Sequence, residues 1–233
     1  YNYISFKTND QKLHLTEITR KDIFCFSSTL GAIVNINELN NTNIRQFPPG
    51  NIMSLKKNKN GFFEYISLKP YITLPTLVDH HFLKTNTNRL VYNSLKAAIK
   101  RRILTSERPV GALLSGGLDS SLVCAISQEI LKENNKPSLV TFSIGLPNSE
   151  DLKFSSEVAK HIGSNHHQII LNQDEFLSAI PNVICDIESY DTTTVRASTG
   201  NWLIGKYIKE NTDVKVVLNG DGADELMGGY LYF

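Results

Sequence analysis

Residues 113–121 read Leu113-Leu114-Ser115-Gly116-Gly117-Leu118-Asp119-Ser120-Ser121. The apolar run Val110-Gly111-Ala112-Leu113-Leu114 fits a buried strand, and Leu122-Val123-Cys124-Ala125-Ile126 fits a helix. A short turn of Ser, Gly and Asp at such a junction gathers backbone N–H groups, hydroxyls and the positive end of a helix around one point. That arrangement suits a phosphate-bearing ligand. The turn has no Gly-Lys-Ser/Thr, so it is not a Walker A loop. An Asp and several Ser beside paired Gly exceed what an ordinary turn requires.

Downstream of this junction, helical and strand patterns alternate. The expected order is a helix over 120–134, a strand over 138–144, a helix over 151–162 and a strand over 167–171. Helices near 174–188 and 196–211 then precede a strand over 214–218. Upstream, Leu90, Leu95, Ala98, Ile99 and Ile103 mark one face of a further helix. Strands alternating with helices of this length indicate an α/β fold with a parallel, doubly wound sheet. Ligands of such sheets sit beyond the C-terminal ends of the strands. Three polar segments, 115–121, 145–151 and 219–225, fall at those ends and are expected to converge on one crevice.

The third segment, Asn219-Gly220-Asp221-Gly222-Ala223-Asp224-Glu225, opens another helix. Asp224 and Glu225 suit a helix start, but three carboxylates so close together exceed capping needs. Facing Asp119, they suit Mg²⁺ on a polyphosphate, since Mg²⁺ commonly takes one or two carboxylates plus phosphate oxygens and water.

Residues 1–72 read as β. The short runs 3–6, 13–16, 23–26, 51–55 and 62–65 are separated by turn residues such as Pro48-Pro49-Gly50 and Lys59-Asn60-Gly61. Residues 73–88, with Pro75 and several Thr and Asn, read as a linker, so 89–233 form a second domain.

Composition bounds the function. The chain has 233 residues, 20% charged and 41% hydrophobic, with a formal net charge of +1. That balance gives no reason to expect nucleic acid or an anionic membrane as partner. No apolar run reaches the roughly 20 residues of a membrane span. Cys25, Cys124 and Cys185, odd in number and widely spaced, suggest reduced thiols in a cytoplasmic protein. Cys25 lies in an apolar run and reads as a buried small hydrophobe. Gly200 to Lys206 nearly spells Walker A but carries a helical pattern and is followed by Tyr207. His166-His167 read as structural or crevice-edge residues, His80-His81 as solvated linker residues, and Lys96, Lys100, Arg101 and Arg102 as a solvated basic face.

The Ser-Gly-Gly-x-Asp-Ser loop resembles the pyrophosphate loop of PP-loop ATP pyrophosphatases, which form adenylates. It is followed by Phe142-Ser143-Ile144-Gly145-Leu146-Pro147 with Ser149 and Asp151, then His166-His167 and Tyr190-Asp191-Thr192-Thr193-Thr194-Val195-Arg196. Gly220-Asp221-Gly222-Ala223-Asp224-Glu225 and Gly228-Gly229-Tyr230 close the series. In this order the motifs resemble the synthetase domain of glutamine-dependent asparagine synthetases over about residues 89–233. Phe24-Cys25-Phe26-Ser27-Ser28 and Phe47-Pro48-Pro49-Gly50 are similar to the last strands of that family's Ntn-type glutaminase domain. The fold this implies is a PP-loop (adenine nucleotide α-hydrolase-like) sheet preceded by a partial, β-rich glutaminase piece.

The resemblance also implies roles. The backbone of Leu114 and Ile144 would border adenine, with Asn219 and Gly220 beside the nucleotide. Ser115, Gly117, Asp119, Ser120 and Ser121 would surround the pyrophosphate, with Gly116 also in the ATP site. Asp119 and Asp224 would hold Mg²⁺, Thr193 and Arg196 would handle aspartate, its adenylate or pyrophosphate, and Asp221 would accept a proton from ammonia. Arg196 suits a carboxylate or phosphate, because a guanidinium fork pairs bidentately with either, and positive charge is disfavoured at the helix start where it is expected. The Thr192-Thr193-Thr194 run also fits plain N-capping.

The implied substrates are aspartate, ATP and glutamine or ammonia; a homodimer is allowed. Two other classes stay open: a related amidating or cyclising synthetase of β-lactam-forming type, and a non-catalytic nucleotide-binding partner. The family usually reads Ser-Gly-Glu-Gly-Ser-Asp-Glu where this chain reads Asn-Gly-Asp-Gly-Ala-Asp-Glu. Asp221 is thus a methylene short, which sets its carboxylate back by about 1 Å, a misplacement that can cost ~10²-fold. The family's glutaminase nucleophile is an N-terminal Cys and its chain runs past the final Tyr-Leu-Tyr-Phe. This chain begins at Tyr1 and ends at that Tyr-Leu-Tyr-Phe, so it is expected to be either a fragment of a longer protein, the favoured reading, or a reduced form without glutaminase activity.

Overall fold

The structure is a computed structural model, and it describes residues 3–7, 23–34, 43–61, 63–72 and 87–231. The chain divides into two compact units, Tyr1–Asp79 and His80–Phe233.

In the first unit, β1 (Tyr3–Lys7) is the middle strand of an antiparallel sheet between β2 (Ile23–Ser27) and β3 (Asn43–Gln46). A short helix, α1 (Gly31–Val34), follows β2 and buries Ile33. A separate hairpin joins β4 (Asn51–Lys57) to β5 (Phe63–Pro70), with a bulge between Ser54 and Leu55. Asn58 shapes its turn: Oδ1 accepts from the Asn60 N–H at 3.0 Å, and Nδ2 donates to Glu64 Oε1 at 3.1 Å. The strand expected over 13–16 lies outside the described residues. Strand β3 was not expected, because Asn43-Ile44-Arg45-Gln46 is mostly polar. It lies at the sheet edge, where polar and charged side chains are common. Cys25 is half-buried rather than buried.

The second unit is a three-layer α/β sandwich built on the expected parallel sheet. Its helices and strands alternate: α2 (Thr87–Thr105), β6 (Val110–Leu113), α3 (Leu118–Glu133), β7 (Val140–Gly145), α4 (Glu150–Ile162) and β8 (Asn165–Ile170). Then come α5 (Gln173–Ile187), α6 (Thr192–Asn211), β9 (Val216–Leu218) and α7 (Ala223–Met227). The strand order is β8-β7-β6-β9, with every pair parallel. The chain therefore builds outward from β6 in one direction, then returns through α5 and α6 to add β9 on the other side. The reversal lies between β6 and β9, and a crevice opens at such a switch point. Helix α2 opens at Thr87, already inside the stretch read as linker; residues 73–86, including His80 and His81, lie outside the described residues.

Two apolar clusters hold this sheet. Ile99, Ile103, Ala112, Leu114, Cys124, Ile126 and Ile130 join α2 and α3 to one face. Phe142, Ile169, Ile204, Ile208 and Val214 join α6 to the other. Burial pushes the Cys124 thiol up to about 12 and keeps it an inert packing group. Lys96 is not a freely solvated member of the basic face. Its Nζ lies 2.8 Å from both Glu129 Oε1 and Glu133 Oε1, tying α2 to α3, and Tyr92 donates to Glu129 at 2.9 Å. The two carboxylates raise the Lys96 pKa. No described helix is long and apolar enough to cross a membrane.

The histidine pair is built into the sheet. His166 Nδ1 lies 2.9 Å from Thr141 Oγ1 and Nε2 lies 3.1 Å from Ser143 Oγ, so both ring nitrogens are occupied. His167 lies 3.3 Å from the Tyr207 hydroxyl and against the Phe142 ring. Burial, then the charge of His167, holds His166 below the usual imidazole range. The folded state therefore binds fewer protons than the unfolded chain as pH falls below about 6.5. The contribution of His166 is complete above that pH and is lost on acidification through its folded value. The expected result is a urea midpoint that falls between about pH 7.5 and pH 5.5 and falls less in His166→Gln. An equal fall in both proteins contradicts this.

Candidate active site

The loop at 114–121 is held by its own hydroxyls. Ser115 Oγ and Ser120 Oγ are 2.9 Å apart; the Ser115 N–H donates to Ser120 Oγ at 3.2 Å and the Gly117 N–H to Ser115 Oγ at 3.3 Å. Gly117 is the N-cap of α3, and no side chain caps it. The first N–H groups of a 16-residue helix thus face the loop, a preformed anion-binding end. Gly116 has φ 90° and presses on α4: a Cβ there would lie 2.6 Å from Phe154 Cβ and from Ser155 N. Only glycine fits.

The loop at 219–225 leaves β9 beside it. A Cβ on Gly220 would lie 2.8 Å from Ser120 N and 3.0 Å from Asp119 C, so the two loops touch through bare backbone. Between them is a cleft of about 360 Å³ lined by Leu113, Ser115, Gly117, Asp119, Ser120 and Asn201, with Asn219, Gly220, Asp221, Gly222, Asp224, Glu225 and Tyr230 opposite. Asn219 Nδ2 donates to Asp221 Oδ2 at 2.7 Å. Tyr230 donates to Glu225 at 2.8 Å; Glu225 sits below the usual carboxylate range, held there first by its own backbone N–H and then by Tyr230.

Not every expected residue lines this cleft. The Leu114 side chain is buried in the core and that of Ile144 packs against the second cluster, while the role expected of both belongs to their backbone. Gly116 contacts α4 instead. Ser121 Oγ is buried behind the loop and, among the described residues, is the one buried side-chain polar atom without a partner. The segment 145–151 does not join the crevice. Ser149 caps α4, and Asn148, Ser149 and Glu150 line a different hollow with Lys153, Lys160 and Gln168. Thr193 and Arg196 are exposed on α6.

Helix α6 itself starts earlier than expected. Its N-cap is Asp191, not the threonine run: Asp191 Oδ1 accepts from Thr194 N and Thr194 Oγ1, both at 2.8 Å. These bonds hold the Asp191 carboxyl below its usual range. Arg196 is thereby displaced into the second turn, beyond the reach of the helix-end dipole. The cleft receives Asn201 from this helix, which the sequence reading missed. Thr193, Ala197 and Asn201 repeat at four-residue spacing, and Arg196 and Gly200 run alongside. This shared stripe was the available signal. Thr193 lies about 12 Å up the axis from Asn201 and Arg196 about 7.5 Å. The Walker-like stretch 200–206 is interior to α6, where Lys206 lies over the Trp202 ring.

The sequence model of the asparagine synthase family matches residues 90–233. The chain belongs to that family. Among curated relatives, the chicken (Gallus gallus) "Asparagine synthetase [glutamine-hydrolyzing]" is 47% identical over 161 residues, covering 69% of this chain and 28% of the relative. The rat (Rattus norvegicus) protein of the same name is 49% identical over 149 residues, covering 64% of this chain and 26% of the relative. The chain therefore spans about a quarter of the length of these relatives. A solved NH3-dependent NAD synthetase from Campylobacter jejuni aligns at TM-score 0.43 and 20% identity, over 61% of this chain and 60% of that one.

In this member of the family, four carboxylates line the cleft and no Lys or Arg does so among the described residues. Such a lining repels a bare polyphosphate. A lining of this kind favours a cation between it and any phosphate, and Asp119 from one loop and Asp224 from the other both belong to it. No three His, Cys, Asp or Glu side chains cluster as a ready-made cage among the described residues. Gly229 leaves Asp224 its place: a Cβ there would collide with Asp224 Oδ1. Gly229→Ala is expected to displace that carboxylate and raise the Mg²⁺ concentration needed for half-maximal turnover several-fold. An unaltered Mg²⁺ titration contradicts this.

Proposed function

We propose that the chain carries the ATP-dependent synthetase site of an asparagine synthetase, which activates aspartate and amidates it. The observation that supports this most strongly is the switch-point cleft, where the Ser-Gly-Gly-Leu-Asp-Ser loop and the 219–225 loop meet in a family member.

The reaction has two halves. First, a side-chain carboxylate oxygen of aspartate attacks the α-phosphorus of ATP. An O–P bond forms, the bond to the β-phosphate bridge breaks, and pyrophosphate leaves. Ser115, Gly117, Ser120 and the open end of α3 bind the departing pyrophosphate. Asp119 and Asp224 hold Mg²⁺, which neutralises charge on the phosphates when bound. Work of this kind is mainly positioning and charge stabilisation. Arg196 extends from α6 to a carboxylate or phosphate, and Thr193 stands beside it on the same helix face.

Second, the ammonia lone pair forms a C–N bond to the acyl carbon of β-aspartyl-AMP. The acyl C–O bond breaks, AMP leaves, and Asp221 accepts the proton that nitrogen sheds. Ammonia would come from glutamine through a glutaminase domain, of which residues 1–72 form the end. Reduced Cys124 and Cys185 fit a cytoplasmic setting.

Aspartate-dependent release of pyrophosphate from ATP by the full-length protein tests this reading. Release that requires aspartate and no other carboxylate is expected. Release driven equally by other carboxylic acids, or none at all, contradicts it.

A further inference from the structure

Asn219 and Asp221 flank a glycine whose backbone is pinned. Gly220 sits so close to the start of α3 that a Cβ would strike Ser120 N at 2.8 Å and Asp119 Cβ at 3.0 Å. The residues on either side are therefore fixed in backbone position against the phosphate loop. Asp221 is exposed, and a carboxylate on a single methylene turns freely in water unless something holds it. The Asn219 amide does so: Nδ2 donates to Asp221 Oδ2 at 2.7 Å. A donor to a carboxylate forms one of the stronger kinds of hydrogen bond. Asp221 Oδ1 takes no hydrogen bond from the described residues, and both residues line the cleft.

We infer that Asn219 is a positioning residue: it orients Asp221 so that Oδ1 meets the proton shed during amidation, and Asn219-Gly220-Asp221 works as one unit. Misorientation by about 1 Å at a reacting group can cost 10²-fold. The inference rests on the amidation role proposed above for Asp221.

The full-length enzyme, assayed with ATP, aspartate and ammonium, separates the two halves through pyrophosphate release and asparagine formation. Because each pyrophosphate released leaves one adenylate to be amidated, the halves are read in a single turnover: Asn219→Leu is expected to slow asparagine formation at least about tenfold further than it slows the first-turnover release of pyrophosphate. The loss appears in kcat for amidation, not in the KM for ATP. Asp221→Asn loses more. The double variant is expected to be no slower than Asp221→Asn alone, because Asn219 acts only through that carboxylate. Parallel loss in both halves, an effect confined to the KM for ATP, or multiplied losses in the double variant overturn the inference.

A measurement without turnover distinguishes its failure from that of the proposed function. In side-chain amide NMR, the Asn219 Nδ2 protons are expected to shift in Asp221→Asn. If they do not, the pairing is wrong even where aspartate-dependent pyrophosphate release is normal. If they shift while wild-type enzyme releases no pyrophosphate with aspartate, the pairing stands and the proposed reaction fails.

Discussion

Asp119→Ala is expected to lower aspartate-dependent pyrophosphate release on the order of 10³-fold or more, without unfolding the protein. Asp119 is in the first turn of α3 and lines the same cleft as Asp224. The four lining carboxylates repel phosphate unless a cation intervenes. Removing Asp119 reduces that repulsion, so a merely electrostatic role predicts unchanged or tighter nucleotide binding. A metal-holding role predicts the reverse: weaker ATP binding that depends less steeply on Mg²⁺. Asp119→Asn separates the two further, since it keeps the shape and loses the charge. Steady-state pyrophosphate release across a Mg²⁺ titration reads the outcome. Near-normal turnover in either variant removes Asp119 from the metal site.

Gly116→Ala is expected to have the largest effect on stability. The residue combines φ 90° with backbone contact to α4, where a methyl carbon would lie 2.6 Å from Ser155 N and 2.8 Å from the Phe154 carbonyl carbon. Left-handed strain alone costs about 1–3 kcal/mol in a non-glycine residue. The clash adds to it, because the obstacle is helix backbone and not the end of a flexible side chain. A total loss of about 2–5 kcal/mol follows, enough to threaten a domain of ordinary stability. The damage should extend to function, since displacing 116 moves Ser115 and Gly117, which bracket the anion-binding end of α3. Equilibrium urea unfolding checks the first part, and ATP binding at a temperature where the variant is folded checks the second. A loss under about 0.5 kcal/mol contradicts the contact.

Much of the fold was legible in the sequence. The strand at 110–113 is a continuous apolar run, as a strand covered on both faces should be, and of the helices after it α4 and α5 carry clear periodicity. Where the reading failed, the physical reasons differ. Strand β3 has no pattern of its own; its pairing with β1 makes it a strand. The start of α6 was misplaced because three threonines resemble a cap, whereas Asp191 makes the stronger bonds. Lys96 seemed solvated because its partners, Glu129 and Glu133, are distant in sequence and on another helix.

The site was legible in its parts and less so in its assembly. Both loops could be named from Ser, Gly and Asp content, and their meeting at β6 and β9 follows from strand order. The segment 145–151 was expected in the same crevice because it also follows a parallel strand. However, β7 is one strand further from the switch point, and Ser149 commits that loop to capping α4. Asn201 carried only its place on the Thr193-Ala197-Asn201 stripe, and a mid-helix Asn is more often a solvated residue than a cleft wall. The Asn219 to Asp221 bond needed coordinates, because sequence spacing alone cannot say that the two side chains turn toward each other.

Isotope transfer tests adenylation of aspartate most directly. When both side-chain oxygens of aspartate are heavy oxygen, one of them forms the bond to the α-phosphorus. That atom stays with phosphorus when ammonia breaks the acyl C–O bond. The full-length enzyme, turned over with ATP and ammonium, is therefore expected to yield AMP bearing one heavy oxygen and asparagine retaining the other. Unlabelled AMP, or heavy oxygen in the pyrophosphate, contradicts attack of the aspartate side chain on the α-phosphate.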